Sequence, residues 1–398
     1  MSNPYTCPCC LSNNITSGLC IDEVPAHSVR LHTSKASAIA EPLGELNLVG
    51  CETCGFVFNA SYDPTLHRYD SSYESTQSFS QTFNAFNKVL ARSILEATVA
   101  DGPVVEIGCG NGELLSLFAE LGARSVVGFD PAFSPEHAAF IPNSFKKVLA
   151  HYFSPKDLTE PASAIVSKMT LEHVADPLAF LKDIARAIPV DHDTRVFIQV
   201  PNAQHVFGAQ SIGDLLYEHC NYFTAQSLDR AFSLAGLQTL EMETAFDDQY
   251  LHAVARLANP TDPKPKTVTQ GDLAAFQSFA SQVRENARLW REWISQKTAA
   301  GHRLAFWGGA SKAVGFLSLT GSGKHFRCAI DINPRKSGSY LPATGIEIVS
   351  PDAASHMAIT DILVCNPIYM GEIQGIADQS GISAVLHPMG ATPPKSRG

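Results

Sequence analysis

Val104–Gly112 reads VVEIGCGNG: a short apolar run with the carboxylate of Glu106 near its end, then glycines at 108, 110 and 112, then a helical stretch, Glu113–Leu121. The spacing predicts a β-strand turning tightly into a helix, with glycines where the main chain passes close to a bound nucleoside and a Cβ would clash. Such turns also serve NAD(P) and flavin sites, or stand as plain βα connections, so neighbouring residues have to discriminate. Glu106 would repel a pyrophosphate but suits a cationic amino-acid group. Asp130 closes the next apolar run (VVGFD), 18 residues after Gly112, where an acid bonds ribose hydroxyls. A dinucleotide site and a purely structural turn are the competing readings.

Outward from this turn, short apolar runs alternate with helical stretches: Ser125–Phe129, Ala164–Val166, Val196–Val200, then Leu237–Glu241 and His252–Arg256. The alternation predicts a mostly parallel α/β sheet, with the last two runs as an antiparallel edge pair. Upstream, residues 67–98 form a lead-in that ends in a helical pattern at Phe83, Phe86, Val89, Leu90 and Ile94. Residues 1–66 are Cys- and turn-rich, with strand-like pieces at Leu46–Val49 and Phe56–Phe58. Downstream, Asn259–Lys266 (NPTDPKPK) reads as a linker and a long helix follows from Asp272 to Ala300. A second, smaller α/β pattern comes next at Leu304–Trp307, Cys328–Ile332, Ile362–Cys365 and Ala384–Leu386. The expected organisation is therefore 1–66, 67–258, 259–300 and 301–390, with a disordered tail.

A chain of 398 residues exceeds one ordinary core and fits two or three domains. A formal charge of −10 excludes nucleic acid as the expected partner, since phosphate binding needs basic surface, and it disfavours broad electrostatic contact with a membrane. No stretch approaches the roughly 18 apolar residues of a membrane-spanning helix. The opening MSNPYTCPCC has neither the charged nor the apolar region of a secretory signal, so a cytoplasmic location is expected. In such a setting two Cys-x-x-Cys pairs, Cys7/Cys10 and Cys51/Cys54, read as a closed four-thiolate structural zinc site rather than as disulfides. Cys9 and Cys20 are the alternatives for one ligand.

The VEIGCGNG turn resembles the first motif of class I S-adenosylmethionine methyltransferases. The resemblance implies that Glu106, Gly108, Gly110 and Asn111 line the methionine side of the cofactor and that Asp130 holds the ribose. It also places Ala150–Phe153, Phe153 in particular, by the adenine, and Met169 and Thr170 beside the sulfonium.

The whole chain resembles sugar C-methyltransferases that act on dTDP-4-keto-deoxysugars in antibiotic biosynthesis, with a zinc-knuckle N-terminus, a class I core and a Rossmann-like C-terminal domain. The stretches that carry it are CETCGFVF, YDSSYES, VEIGCGNGELL, LEHVADPLAFL, YEHCNYF, and WGGASKA followed by CAIDINPRKSG. The resemblance implies a nucleotide-linked sugar as small-molecule acceptor. It makes His219 the base, with Glu218 orienting its imidazole and favouring the charged form. His173 and either Tyr69 or Tyr73 would steady the keto oxygen as it becomes an enolate. Two departures bear on the acceptor: Leu216 stands where the family has tyrosine, and Asp247-Asp248-Gln249 where it has His-Gly-Gly. O- or N-methylation of another metabolite, which needs no carbon-acid base, is the alternative; a non-catalytic binding module is a third reading. WGGASKA and Asp331 pair an anion-holding turn with a ribose-contacting acid, or else simply close the acceptor cleft.

Overall fold

A computed structural model describes residues 5–70, 72–139, 146–262 and 273–394. Residues 263–266 of the expected linker, Asp272 at the expected start of the long helix, and 395–398 of the expected disordered tail lie outside the described residues.

After the first Cys-x-x-Cys turn come β1 (Ile15–Pro25), α1 (Lys35–Ile39), β2 (Leu43–Cys51) and β3 (Val57–Asn59). β1 escapes a period-2 reading because its register against β2 slips between Ser17 and Leu19 and again between Ile21 and Val24, and each bulge resets the alternation.

Next come α2 (Gln81–Ala97), β4 (Val104–Ile107), α3 (Glu113–Glu120), β5 (Val126–Phe129), β6 (Lys146–Leu149), β7 (Ala164–Lys168), α4 (Pro177–Arg186), β8 (Arg195–Pro201), α5 (Ala203–Gly208), β9 (Asn221–Tyr222), α6 (Ala225–Ala235), β10 (Leu237–Ala245) and β11 (Tyr250–Leu257). Seven strands form one sheet in the order β10-β11-β8-β7-β4-β5-β6. β11 runs antiparallel to both neighbours, and the remaining pairs are parallel. The order reverses at β4, which lies between β5 and β7, so the crevice at its carboxyl end is the natural ligand site of such a sheet.

α2 starts at Ser80, whose hydroxyl accepts from the Phe83 amide, an N-cap bond. It buries Phe83, Asn87, Leu90, Ala91 and Ile94. Val89, expected on that face, is 64% exposed: it is one residue, or about 100° of helix rotation, from Leu90.

The two-residue β9 stands outside this sheet and completes the N-terminal one, in the order β1-β2-β3-β9. Val57 pairs with Tyr222 and Phe58 with Asn221, so the N-terminal segment and the central one share a sheet.

The last part comprises α7 (Ala274–Ala299), β12 (Leu304–Trp307), α8 (Ser311–Thr320), β13 (Phe326–Ile330), β14 (Ile348–Val349), α9 (Pro351–Ser355), β15 (Asp361–Val364), α10 (Met370–Gln379) and β16 (Val385–Pro388). Its five strands are parallel, in the order β14-β13-β12-β15-β16. α7 buries Phe276, Phe279, Val283, Trp290 and Ile294, and this stripe shares one apolar core with Leu19, Leu46 and Leu48 of the N-terminal sheet and Phe306 and Phe316 of the C-terminal domain. None of the described helices is long and apolar enough to cross a membrane.

Asp361, 1% exposed, anchors α7 to this sheet. Its carboxylate accepts from Lys297 Nζ (2.8 Å), His302 Nδ1 (2.5 Å), His387 Nε2 (2.8 Å) and Thr360 Oγ1 (2.7 Å). Burial pushes its carboxyl up, but the bonds from Lys297, Thr360, His387 and His302 outweigh that and hold it well below the usual carboxylate range. A depressed folded-state pKa gives stability that is full above the unfolded value of about 4 and is lost as pH falls through the folded one. Asp361→Asn is expected to lower the unfolding free energy by about 2–4 kcal/mol at pH 7, read by urea denaturation, with the gap to wild type closing in strong acid.

Candidate active site

A cleft of about 720 Å³ opens at the carboxyl end of β4 and takes walls from all three parts of the chain. Its floor is the glycine turn. Gly108, Gly110 and Gly112 adopt φ of +78°, +53° and +85°, the left-handed region that favours glycine. A Cβ on Gly108 would lie 2.0 Å from Thr170 Oγ1, whereas one on Gly110 would meet nothing closer than 3.8 Å. The first glycine therefore serves packing, and the second leaves an open cradle.

Asp130, just beyond β5, accepts from the Gly110 amide (2.8 Å) and the Ala132 amide (2.7 Å), which fixes its carboxylate at the rim. Asn111 Oδ1 accepts from the Ser134 amide (3.2 Å). Glu106 is 3% exposed, and its Oε2 has no hydrogen-bond partner among the described residues. Burial pushes its carboxyl up to about 8, against the pull of Lys168. A buried acceptor without a donor costs stability, and the ammonium of an amino-acid group placed there would remove that cost. Phe153 packs on Phe129 at 5.2 Å between centroids. Met169 holds φ +52°, a strained value for a side-chain-bearing residue, of the kind that gathers at functional sites. Glu106, Gly108, Gly110, Asn111, Asp130, Phe153 and Met169 line the cleft, and together they fit the nucleoside and methionine halves of S-adenosylmethionine.

Opposite them lie His173, His219, Tyr69, Tyr73 and Glu218. The His173 and His219 rings meet edge to face at 4.8 Å, and Tyr69 touches His173 (5.9 Å) and Tyr73 (5.0 Å). The expected orientation of His219 by Glu218 differs from what the structure has. Glu218 Oε1 accepts from the Ser28 amide (3.1 Å) and hydroxyl, and Oε2 accepts from the Tyr73 hydroxyl (2.9 Å) and lies 3.1 Å from His67 Nε2. Burial pushes its carboxyl up, but His67, by hydrogen bond and charge, together with His173 and His219 holds it well below the carboxylate range.

Glu218 favours the charged form of His219, as expected, but a larger effect opposes it. Burial pulls its imidazole down, more than Glu218 and Asp214 raise it, so it stands neutral near pH 7 with a lone pair to accept a proton. Burial pulls His173 down to about 3, with His219 adding to the effect. Burial raises both tyrosines well above their ordinary value, so they remain donors. The Tyr69 hydroxyl has no partner among the described residues, while that of Tyr73 is spent on Glu218.

The C-terminal domain closes the remaining side. Lys312, in the first turn of α8, pairs with Asp214 (2.6 Å). Asp331 repeats the bonding of Asp130, accepting from the Gly309 amide and the Asn333 amide (2.9 Å each), and it also pairs with Lys336 (3.2 Å). Two carboxylates fasten this domain to the lead-in: Glu74 accepts from Asn333 and Arg335, and Glu372 from Ser80, Gln81 and Thr82.

Away from the cleft, Cys7, Cys10, Cys51 and Cys54 bring their sulfurs within 4.8 Å of one another, with Cys7–Cys54 and Cys10–Cys51 at 3.6 Å. Zinc–sulfur bonds of 2.3 Å in a tetrahedron set sulfurs about 3.8 Å apart, so the four thiols fit that metal. Gly55, at φ +70°, donates its amide to the Cys51 carbonyl and closes the second turn. Cys9 and Cys20 are not in the group; Cys20 clusters with Asp22 and Glu45 instead.

His67, Ser28 and Lys168 were not singled out in the sequence. His67 sits two residues before the YDSSYES segment, and Lys168 ends the apolar run of β7; both were legible as polar residues at strand or segment ends. Ser28 carried no signal. Gly108→Ala is expected to cost at least about 2 kcal/mol of stability, from left-handed strain and the clash with Thr170. Gly110→Ala should cost less while narrowing the cradle. Thermal melts of the two variants check the order.

Residues 79–242 match the family described as a methyltransferase domain, and residues 262–376 match the C-methyltransferase C-terminal domain. A comparison with curated proteins gives no match. Among solved structures, the chain is similar to CalO1, a methyltransferase in calicheamicin biosynthesis with S-adenosylhomocysteine bound (23% identity over 44% of this chain and 54% of that one, TM-score 0.36). It is also similar to the Burkholderia thailandensis 1,6-didemethyltoxoflavin-N1-methyltransferase (18%, over 45% and 79%, TM-score 0.35) and to the [4+2]-cyclase SpnF (13%, over 43% and 81%, TM-score 0.35). These likenesses carry no substrate to this chain. The two matched domains, the strand order and the glycine turn with its acids agree: the chain is an S-adenosylmethionine-dependent methyltransferase of class I fold that carries a C-methyltransferase C-terminal domain.

Proposed function

We propose that the enzyme methylates a carbon of a nucleotide-linked keto-deoxysugar. The observation that carries this reading is the group of groups opposite the glycine turn: a neutral His219 imidazole touching His173, beside a Tyr69 hydroxyl with no partner among the described residues. A carbon acid needs a base and a donor that steadies the enolate oxygen, and this group offers both. Bound S-adenosylmethionine supplies an electrophilic methyl on its sulfonium. His219 takes the proton from the carbon next to the keto group, and the C–H pair moves onto the oxygen, held by Tyr69 and His173. When the electrons return, carbon bonds the methyl and the S–CH3 bond breaks. Glu218 stays ionised in its bonds to Ser28, His67 and Tyr73 and steadies the imidazolium through space, rather than through the direct contact expected from sequence.

The nucleotide end of the acceptor falls to the C-terminal turn, where Lys312, Lys336 and backbone amides at the start of α8 suit phosphate. His219→Asn should leave S-adenosylhomocysteine binding intact, slow turnover of a dTDP-4-keto-deoxysugar by about 10²–10⁴-fold, and stop deuterium exchange at the acceptor carbon when no donor is present. Survival of both exchange and turnover would make His219 scaffold and move O- or N-methylation ahead.

The four-cysteine group is proposed as a structural zinc site outside the reaction, since none of the four lines the cleft. Metal analysis should find one zinc per chain, and its removal should unfold the N-terminal sheet, because such binding contributes directly to folding. A metal-free protein with an unchanged melting temperature in chelator would refute it.

A further inference from the structure

Glu172 is a carboxyl group on the cleft wall that the proposed reaction leaves unused. It is 0% exposed, it lines the cleft, and neither of its oxygens has a hydrogen-bond partner among the described residues. Nε2 of His173 comes within 3.9 Å of its Oε1, beyond hydrogen-bond range. Burying a carboxyl group with both oxygens unmet is costly, so the position points to a ligand that would meet them.

On the same side, Nδ1 of His173 is buried without a partner among the described residues, and the His219 ring meets that of His173 edge to face at 4.8 Å. One ligand atom from each of Glu172, His173 and His219 lies within 4.8 Å of the other two. The backbone holds them there. Glu172 and His173 share a single 3-10 turn, Leu171–His173, just after β7. His219 comes from the segment entering β9, and the next two residues tie that segment to the turn. The Cys220 thiol donates to the Glu172 carbonyl (3.5 Å), and the Asn221 side-chain amide donates to the carbonyls of Leu171 (3.1 Å) and Val174 (2.6 Å). The three side chains are therefore placed before any ligand arrives, which lowers the cost of binding one.

Two imidazoles and a carboxylate are a donor set for a divalent transition ion such as zinc, copper or nickel, whereas magnesium and calcium take oxygen ligands. Metal bonds of about 2.0–2.2 Å set ligand atoms about 3–4 Å apart, so small side-chain rotations close the set. We infer that Glu172, His173 and His219 form a second metal site, separate from the four cysteines, which takes a divalent transition ion opposite the glycine turn. Three protein ligands leave the ion a position open to the cleft, for water. Nothing is oxidised or reduced: His219 shares with the ion the lone pair that would otherwise take a proton. Cation binding and proton abstraction therefore exclude each other, and the ion switches the enzyme off. That consequence, unlike the site itself, rests on the carbon-acid reading. A neutral Glu172 packed against the wall for structure alone is the contrary reading.

Cobalt is the probe, added to the full-length protein after one equivalent of zinc, for which the four thiolates compete best. A further equivalent of cobalt should bind and give visible d–d absorption, without the near-ultraviolet thiolate band that exchange at the cysteines would produce. Loss of even a ligand's outer partner costs about 10–100-fold in metal affinity, so Glu172→Gln and His219→Asn should each weaken cobalt binding by at least about 10-fold. Wild type that takes up no further cobalt overturns the proposal, whether or not a variant folds. So does binding that both variants keep unchanged. Saturating cobalt should also stop deuterium exchange at the acceptor carbon of a dTDP-4-keto-deoxysugar, and exchange that continues with the ion bound overturns the switch. Absence of exchange before any cobalt is added counts against the carbon-acid reading alone, and the absorption titration, which needs no acceptor, still decides the site.

Discussion

Glu218 is a carboxylate at 1% exposure, taken out of water at a junction where three stretches of chain meet. Ser28 comes from the loop after β1, His67 and Tyr73 from the lead-in, and Glu218 itself from the segment entering β9, at sequence separations of 190, 151 and 145 residues. A buried charge costs several kcal/mol unless its lone pairs are met, and here each oxygen has two partners. The fold around the cleft is organised so that these partners arrive together. β9 pairs with β3 outside the seven-stranded sheet, and the lead-in lines the cleft at the end of β4. The adjoining histidines and tyrosines are placed by the same requirement: His219 is the next residue along the chain, and Tyr69 lies between the two that bind the carboxylate.

Sequence was most legible where structure is local. The strand–turn–helix from Val104 to Glu120 follows from nine residues whose conformational demands are nearly independent of the rest. Each Cys-x-x-Cys turn is local as well, and that the two pairs meet follows from the chemistry of thiolates. The illegible parts are the junctions. Nothing in YEHCNYF announces that Asn221 and Tyr222 would join a sheet with residues 57 and 58, because two-residue strands carry no periodicity. The pairing of Lys312 with Asp214 joins residues 98 apart, and the sharing of one core by β1, α7 and α8 likewise comes from packing rather than pattern. The hydrogen-bond partners of Glu218 were hidden for the same reason: adjacency to His219 in sequence says nothing about which groups surround a side chain.

The two glycine turns invite comparison. Each places an acid at the end of the next strand, Asp130 or Asp331, accepting from a glycine amide at 2.8 or 2.9 Å. They differ in charge. The first has a buried acid, Glu106, in the preceding strand, whereas Phe306 holds the equivalent place before the second, which is flanked by the ion pairs Lys312–Asp214 and Lys336–Asp331. The same strand–turn–helix device thus recurs on both walls of one cleft with different side chains around it.

The attachment of Glu372 to Ser80, Gln81 and Thr82 has a kinetic side. The first backbone N–H groups of a helix have no partners within it, and here the carboxylate that meets those of α2 is made about 290 residues later. While the chain is being synthesised, the methyltransferase sheet can assemble with the start of α2 still loose, and the segment that walls the cleft stays free to sample other arrangements. Docking of α10 then adds the three bonds from Glu372 to those of the Ser80 cap. Contacts of such long sequence separation form late and slowly, so the enzyme gains its working shape at the end of its own folding, after the sheet that binds the methyl donor is in place.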